Sequence, residues 1–122
     1  MQTRAQADAE AVVAKAVTAA ARALGISQDE LARILGTSAA SVSRAAAGAR
    51  SIDPASAEGR HALLFVRVFR SLDTLVGGDE GKARGWLEAD NFHLGGRPRD
   101  LVATTPGLVH VADYLDALRG TL

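Results

Sequence analysis

The stretch Ile26–Arg50, ISQDELARILGTSAASVSRAAAGAR, decides how the chain folds. Ser27 followed three residues later by Glu30 is a capping box, so a helix begins here, with Leu31, Ile34 and Leu35 turned inward. Gly36 and Thr37 supply a tight turn, and Ser38 caps a second short helix that runs to about residue 47, where Gly48 closes it. Ala32, Gly36 and Val42 fall where two short helices crossing steeply need small or inward apolar side chains.

This order of cap, helix, turn, cap and helix is that of a helix-turn-helix. Its second helix presents Ser38, Ala39, Ala40, Ser41 and Arg44 on the face that could enter a major groove. Arg44 can donate to a guanine edge through two nitrogens, Ser38, Ser41 and Ser43 can bond a base or a phosphate, and Gln28 and Arg50 suit the DNA backbone at the two edges. Between residues 25 and 53, three arginines stand against Asp29, Glu30 and Asp53. A single copy is therefore expected to bind weakly, and two reading heads are needed. The bland alternative is that the helix pair only packs within a bundle.

Outward from this unit, helical spacing recurs and no window alternates as a strand would, which predicts an all-α fold. A first helix, about 5–24, places Val13, Val17, Ala20 and Leu24 on one stripe and stops at Gly25. A much more apolar helix, about 56–76, carries Leu64, Phe65, Val68, Phe69, Leu72 and Leu75 over more than half its circumference, so several neighbours must bury it. It is expected to join residues 1–53 to a second unit, 54–122. GGDEG at 77–81 breaks the chain, a fifth helix at 82–89 carries Trp86 and Leu87 as core, and DNFHLGGRPRD is a structured turn. Closing helices at 99–103 and 106–119 follow, the last burying Leu108, Val111, Ala112, Leu115 and Leu118.

Composition narrows the function. Fourteen basic residues balance fourteen acidic ones among 122, so no global positive field drives loose attachment to nucleic acid. With no cysteine, disulfides and thiolate zinc sites are excluded. The N-terminus has no signal-peptide core and no run is long enough to span a membrane, so a cytoplasmic protein is expected. His61, His93 and His110 lack ligand spacing, no nucleophile–base cluster stands out, and neither metal, cofactor nor catalysis is expected. GGDE and GDEGKA superficially match nucleotide-handling motifs, but helices flank the first and the second lacks the metal-binding hydroxyl.

The helix-turn-helix resembles the Xre, phage-repressor-like family at Ser27, Gln28, Leu31, Ala32, Leu35, Gly36, Ser38, Val42, Ser43, Arg44 and Gly48. It departs from it at Ala45 and Ala46, where that family often has a tryptophan and an acid. The last third resembles the toxin-binding domain of Xre/MbcA/ParS-type antitoxins, on Trp86, Leu87, Asn91, Leu94, Gly95, Gly96, Pro98, Asp100, Leu101, Gly107, Leu115 and Leu118. Asp90 replaces a usual proline there, and the segment before Asp100 is about one residue short. The resemblance implies a type II antitoxin, itself no enzyme, whose partner is a RES-domain toxin that consumes NAD by phosphorolysis, hydrolysis or ADP-ribosyl transfer. It implies that the chain covers the toxin's active site and represses its own operon through operator DNA. Arg97, Arg99, His110, Tyr114 and Leu122 are the expected toxin-facing residues, taken as exposed, with His110 and Tyr114 opposite the buried stripe of the last helix. Apolar surface on the first and central helices predicts at least a homodimer. Two alternatives stay open: a stand-alone repressor whose C-terminal helices only dimerise, and a regulator with a small-molecule pocket.

Overall fold

The computed structural model describes residues 2–121, and every regular element among them is helical. In chain order these are α1 (Arg4–Ala23), α2 (Gln28–Leu35), α3 (Ala39–Ala46), α4 (Ala57–Leu75), α5 (Glu80–Glu88), α6 (Pro98–Leu101) and α7 (Thr105–Gly120). One isolated antiparallel bridge, Asn91 to Gly96, closes the turn before α6.

The element boundaries follow from local chemistry. Thr3 and Gln6 form a capping box at the start of α1, and Ser27 and Glu30 form the expected one at α2. Gly25 and Gly36 take φ of 69° and 71°, and the amides that follow reach back to Ala21 and Ala32 at 2.9 and 3.0 Å. The left-handed residue thus ends each helix while giving its last carbonyls a donor. The break after α4 is shorter than GGDEG suggested: Asp79 accepts from the Lys82 amide as an N-cap, and Glu80 and Gly81 already belong to α5.

The central helix is α4, which packs on α1, α2, α5 and α7. Phe65, Val68 and Leu72 are fully buried along it, and Leu108, Val111 and Leu115 meet them from α7. Each such side chain contributes roughly 1.5–3 kcal/mol by leaving water. Leu64, Phe69, Leu75 and Trp86 lie at the margin of this core, only partly buried. Leu118 is likewise only partly covered.

Helices α4 and α7 run parallel. His61 meets the Thr105 hydroxyl at 2.7 Å near their starts, and Ser71 donates to Asp116 Oδ1 at 2.8 Å further along. Arg67 bridges the seam, donating to Asp116 at 2.6 Å and to Asp113 at 3.0 Å. Asp116 is consequently held below the usual carboxylate range by Arg67 first and by the Ser71 hydroxyl second.

The two long C-terminal helices begin alike. Ser56 and Thr104 cap them, accepting from the amides of Gly59 and Gly107 and donating to the carbonyls of Asp53 and Leu101. Each glycine therefore sits directly beneath the carbonyl group six residues before it.

Candidate DNA-facing and toxin-facing surfaces

The reading helix is held from behind. Val42 and Ala45 point into the core, where α3 meets α2 and α1, so Ala45 is a packing residue and only part of the alanine run faces outward. A small side chain there lets α1 approach α3 closely. Of the six expected DNA contacts, Gln28, Ser38, Ser43 and Arg44 are exposed and Ser41 and Arg50 partly buried, and the Arg44 guanidinium meets only the Ser41 hydroxyl, at 3.1 Å. Ser38 lies at the N-terminus of α3, but its hydroxyl oxygen accepts from the Ser41 amide at 3.1 Å and its proton goes to Ser41 Oγ at 3.0 Å.

Arg50 is placed differently from expectation. It donates through both terminal nitrogens to Glu58, at 2.9 and 2.8 Å, and through Nε to the Ser41 carbonyl at 3.2 Å. The Glu58 carboxylate raises its pKa further. Arg50 is thus a strut fastening the end of the helix-turn-helix to the first turn of α4, its two terminal nitrogens already taken by the Glu58 carboxylate in a two-pronged, charge-assisted pair.

On the C-terminal side the two arginines are also committed inside the molecule. Arg97 donates to Asp100 at 2.9 and 3.1 Å and to Glu88 at 3.0 Å. Arg99, expected to be exposed, is only 22% so. It reaches across 69 residues to Glu30, at 2.7 and 2.6 Å, donates to the Gly25 carbonyl at 2.9 Å, and also bonds Glu88. Glu30 therefore serves two partners, its own helix cap and Arg99. The hydrogen bond from Arg99 is the main reason its carboxyl falls from 4.5 to about 2. Arg84 adds two more bonds to this corner, donating to the carbonyls of Ala23 and Arg22 at 2.9 and 3.2 Å.

Tyr114 also departs from expectation. It is half-buried and stacks on Trp86, with ring centroids 6.4 Å apart and planes 19° from parallel. His93 also stacks on it, at a centroid distance of 6.2 Å. His110 is exposed, as expected, and Leu122 lies outside the described residues.

Sequence reasoning missed Phe92, which projects from the 91–96 turn with 94% of its surface in solvent. The signal was present: Asn91 Oδ1 accepts from the Leu94 amide at 3.1 Å, a turn that buries Leu94 and leaves the two intervening residues at the tip. Among the described residues no cluster of histidine, aspartate or glutamate could hold a metal ion, and no helix is long and apolar enough to cross a membrane.

Comparison with known proteins accords with this layout. Residues 3–67 match the model of the antitoxin Xre-like helix-turn-helix domain, and residues 71–120 match the antitoxin Xre/MbcA/ParS C-terminal toxin-binding domain. No curated protein sequence matches significantly. Among solved structures, a chain in the crystal structure of the M. tuberculosis MbcT-MbcA toxin-antitoxin complex superposes with a TM-score of 0.67 at 25% identity. The match covers 91% of this chain and 96% of that one. With a capped reading helix at one end and a toxin-binding fold fastened to it at the other, the chain belongs to the Xre-like antitoxin family.

Proposed function

We propose that the chain neutralises a RES-domain, NAD-consuming toxin by covering its active site, and that it represses its own operon in the cytoplasm through the helix-turn-helix. What carries this reading is the union, in one body, of a toxin-binding domain with a DNA-facing helix whose one exposed arginine, Arg44, is free of any carboxylate. The proposed DNA contacts are Arg44, Ser43, Gln28 and Ser41, with Ser38 acting chiefly by holding the helix end. Arg50 acts on DNA only indirectly, by fixing the position of α3. On the toxin side, His110 and the tail at Leu122 offer direct reach, whereas Arg97, Arg99 and Tyr114 shape the surface.

Co-expression with the toxin encoded beside the chain tests the protein-binding half. The toxin alone is expected to arrest growth and deplete NAD, and the full chain to restore both; a toxin that leaves NAD untouched removes the RES assignment. Division at residues 53/54 is retained only as a functional boundary, since α4 serves both sides.

For the DNA half, Arg44→Ala is expected to weaken operator binding by on the order of 1–3 kcal/mol, the value of one two-pronged base contact. It should leave toxin neutralisation intact. A mobility shift equal to that of the parent would remove Arg44 from the reading surface.

Two copies acting on half-sites one DNA turn, about 34 Å, apart would compensate for the weak single head. Val12 and Leu63 are exposed at 63% and 45%, which leaves apolar surface for self-association. Light scattering of the free chain at tens of micromolar should give at least twice the 12.6 kDa monomer mass; the monomer mass itself would refute the dimer.

A further inference from the structure

We infer that Phe92 is the anchor by which the toxin-binding domain grips its toxin, its ring entering an apolar pocket on the toxin's surface. The inference rests on the proposed neutralising function and adds to it the residue and the chemistry of the contact.

Isolated apolar residues on a surface need no explanation, but Phe92 is not isolated. Its ring meets His93 edge to face at a centroid distance of 5.8 Å, His93 stacks on Tyr114, and Tyr114 stacks on Trp86, so four rings run in a ladder from the core margin to the solvent. Phe92 is the outermost rung. The turn beneath it is fixed as well. The Asn91 amide donates to the Gly96 carbonyl at 2.9 Å, and the amides of Gly95 and Gly96 return to the Asn91 carbonyl at 2.9 and 3.2 Å. Gly95 takes the left-handed φ of 79° that this closure requires. An aromatic ring presented on a turn that is already ordered loses little freedom when it binds.

The charges nearby argue for the same partner surface. Arg97, Arg99, Glu88 and Asp100 are satisfied by one another and by Glu30, and Arg67, Asp113 and Asp116 by one another. A partner that bound through these charges would first have to break existing ion pairs. Asp90, exposed two residues before Phe92, makes no ion pair among the described residues, and Val109 is 39% exposed. The largest apolar group that residues 71–120 present is nevertheless the Phe92 ring, and buried aromatic anchors are where binding energy concentrates in protein interfaces. The complementary surface is a desolvated apolar pocket whose rim leaves the Asp90 carboxylate in water or gives it a donor. A second copy of this chain is the competing occupant.

The test measures the affinity of the full chain for the catalytically inactivated toxin encoded beside it, comparing the parent with Phe92→Ala and Phe92→Leu. The alanine variant is expected to bind at least tenfold more weakly, chiefly through faster dissociation, and the leucine variant to fall between. Thermal unfolding of both should match the parent, because the ring buries almost nothing in the free chain. If the parent binds and Phe92→Ala binds equally well, the anchor is wrong while the neutralising function stands. If the parent does not bind the toxin, that function fails and the anchor with it. If Phe92→Ala leaves toxin affinity unchanged but reduces self-association in sedimentation, the ring belongs to a dimer interface instead.

Discussion

Gly107→Ala is expected to destabilise the chain by on the order of 3 kcal/mol or more, and Gly59→Ala by a similar amount. A methyl group at Gly107 would fall inside the van der Waals envelope of the Leu101 carbonyl, 2.8 Å from its carbon and 2.9 Å from Thr104 Oγ1. At Gly59 it would meet the Asp53 carbonyl and stand 2.8 Å from Pro54 Cα. Alanine is ordinarily the better helix former, by about 1 kcal/mol over glycine, so propensity alone predicts stabilisation. Here the obstacle is backbone rather than the end of a flexible side chain, and relieving it means moving a capped turn. Denaturant unfolding of the two variants decides between these effects. A gain in stability at either position would show that the glycine is there for flexibility and not for close approach. Gly85 provides the control, since nothing lies within 4 Å of a methyl group placed there.

Arg99→Ala carries the next largest effect, about 2–3 kcal/mol, because it strips Glu30 and the Gly25 carbonyl of a shared donor at a corner where water only partly replaces it. The loss should lower the melting temperature by on the order of 10 °C. It should also change the response to acid. The folded carboxyl of Glu30 titrates at about 2 against its ordinary 4.5. The unfolded chain therefore takes up the proton first, and the stabilisation is fully present above about pH 4.5 and is lost as pH falls towards 2. In Arg99→Ala, stability should fall less steeply across that window. An unchanged pH profile would mean that Glu30 is held by its capping role alone.

The two predictions also mark what could be read from the chain alone. Helix order, the all-α class and the cap–turn–cap unit were legible because they are set by neighbours three or four residues apart: Ser27 with Glu30, Gly25 and Gly36 as stops. Gly107 was visible only as one of the positions that carry the family resemblance, and the matching role of Gly59 was hidden, since only the folded turn brings the Asp53 carbonyl over it. Arginines were the least legible residues. Arg44 stayed free, whereas Arg50 and Arg99, equally plausible as ligands of phosphate or partner, found carboxylates 8 and 69 residues away. A long cationic side chain has many reachable partners, and which one it takes depends on packing that no local pattern records. Tyr114 was assigned to an exposed face from helical angle alone, and the 91–96 turn then folded His93 over it.

The two family matches end and begin at residues 67 and 71, inside α4. A junction within a helix behaves like a gear rather than a tether. Each residue inserted or deleted between Phe65 and Leu72 would turn the two ends of α4 against each other by about 100° and shift them by about 1.5 Å. That motion would work against the α4–α7 seam at His61, Arg67 and Ser71 and the ties from Arg99 to Glu30 and from Arg84 to Ala23. Length changes in this segment should therefore be poorly tolerated, as should changes in the 53–56 turn, which closes over Gly59. The angle between the helix-turn-helix and the toxin-binding domain is thus set by one shared helix together with the arginine ties that cross it.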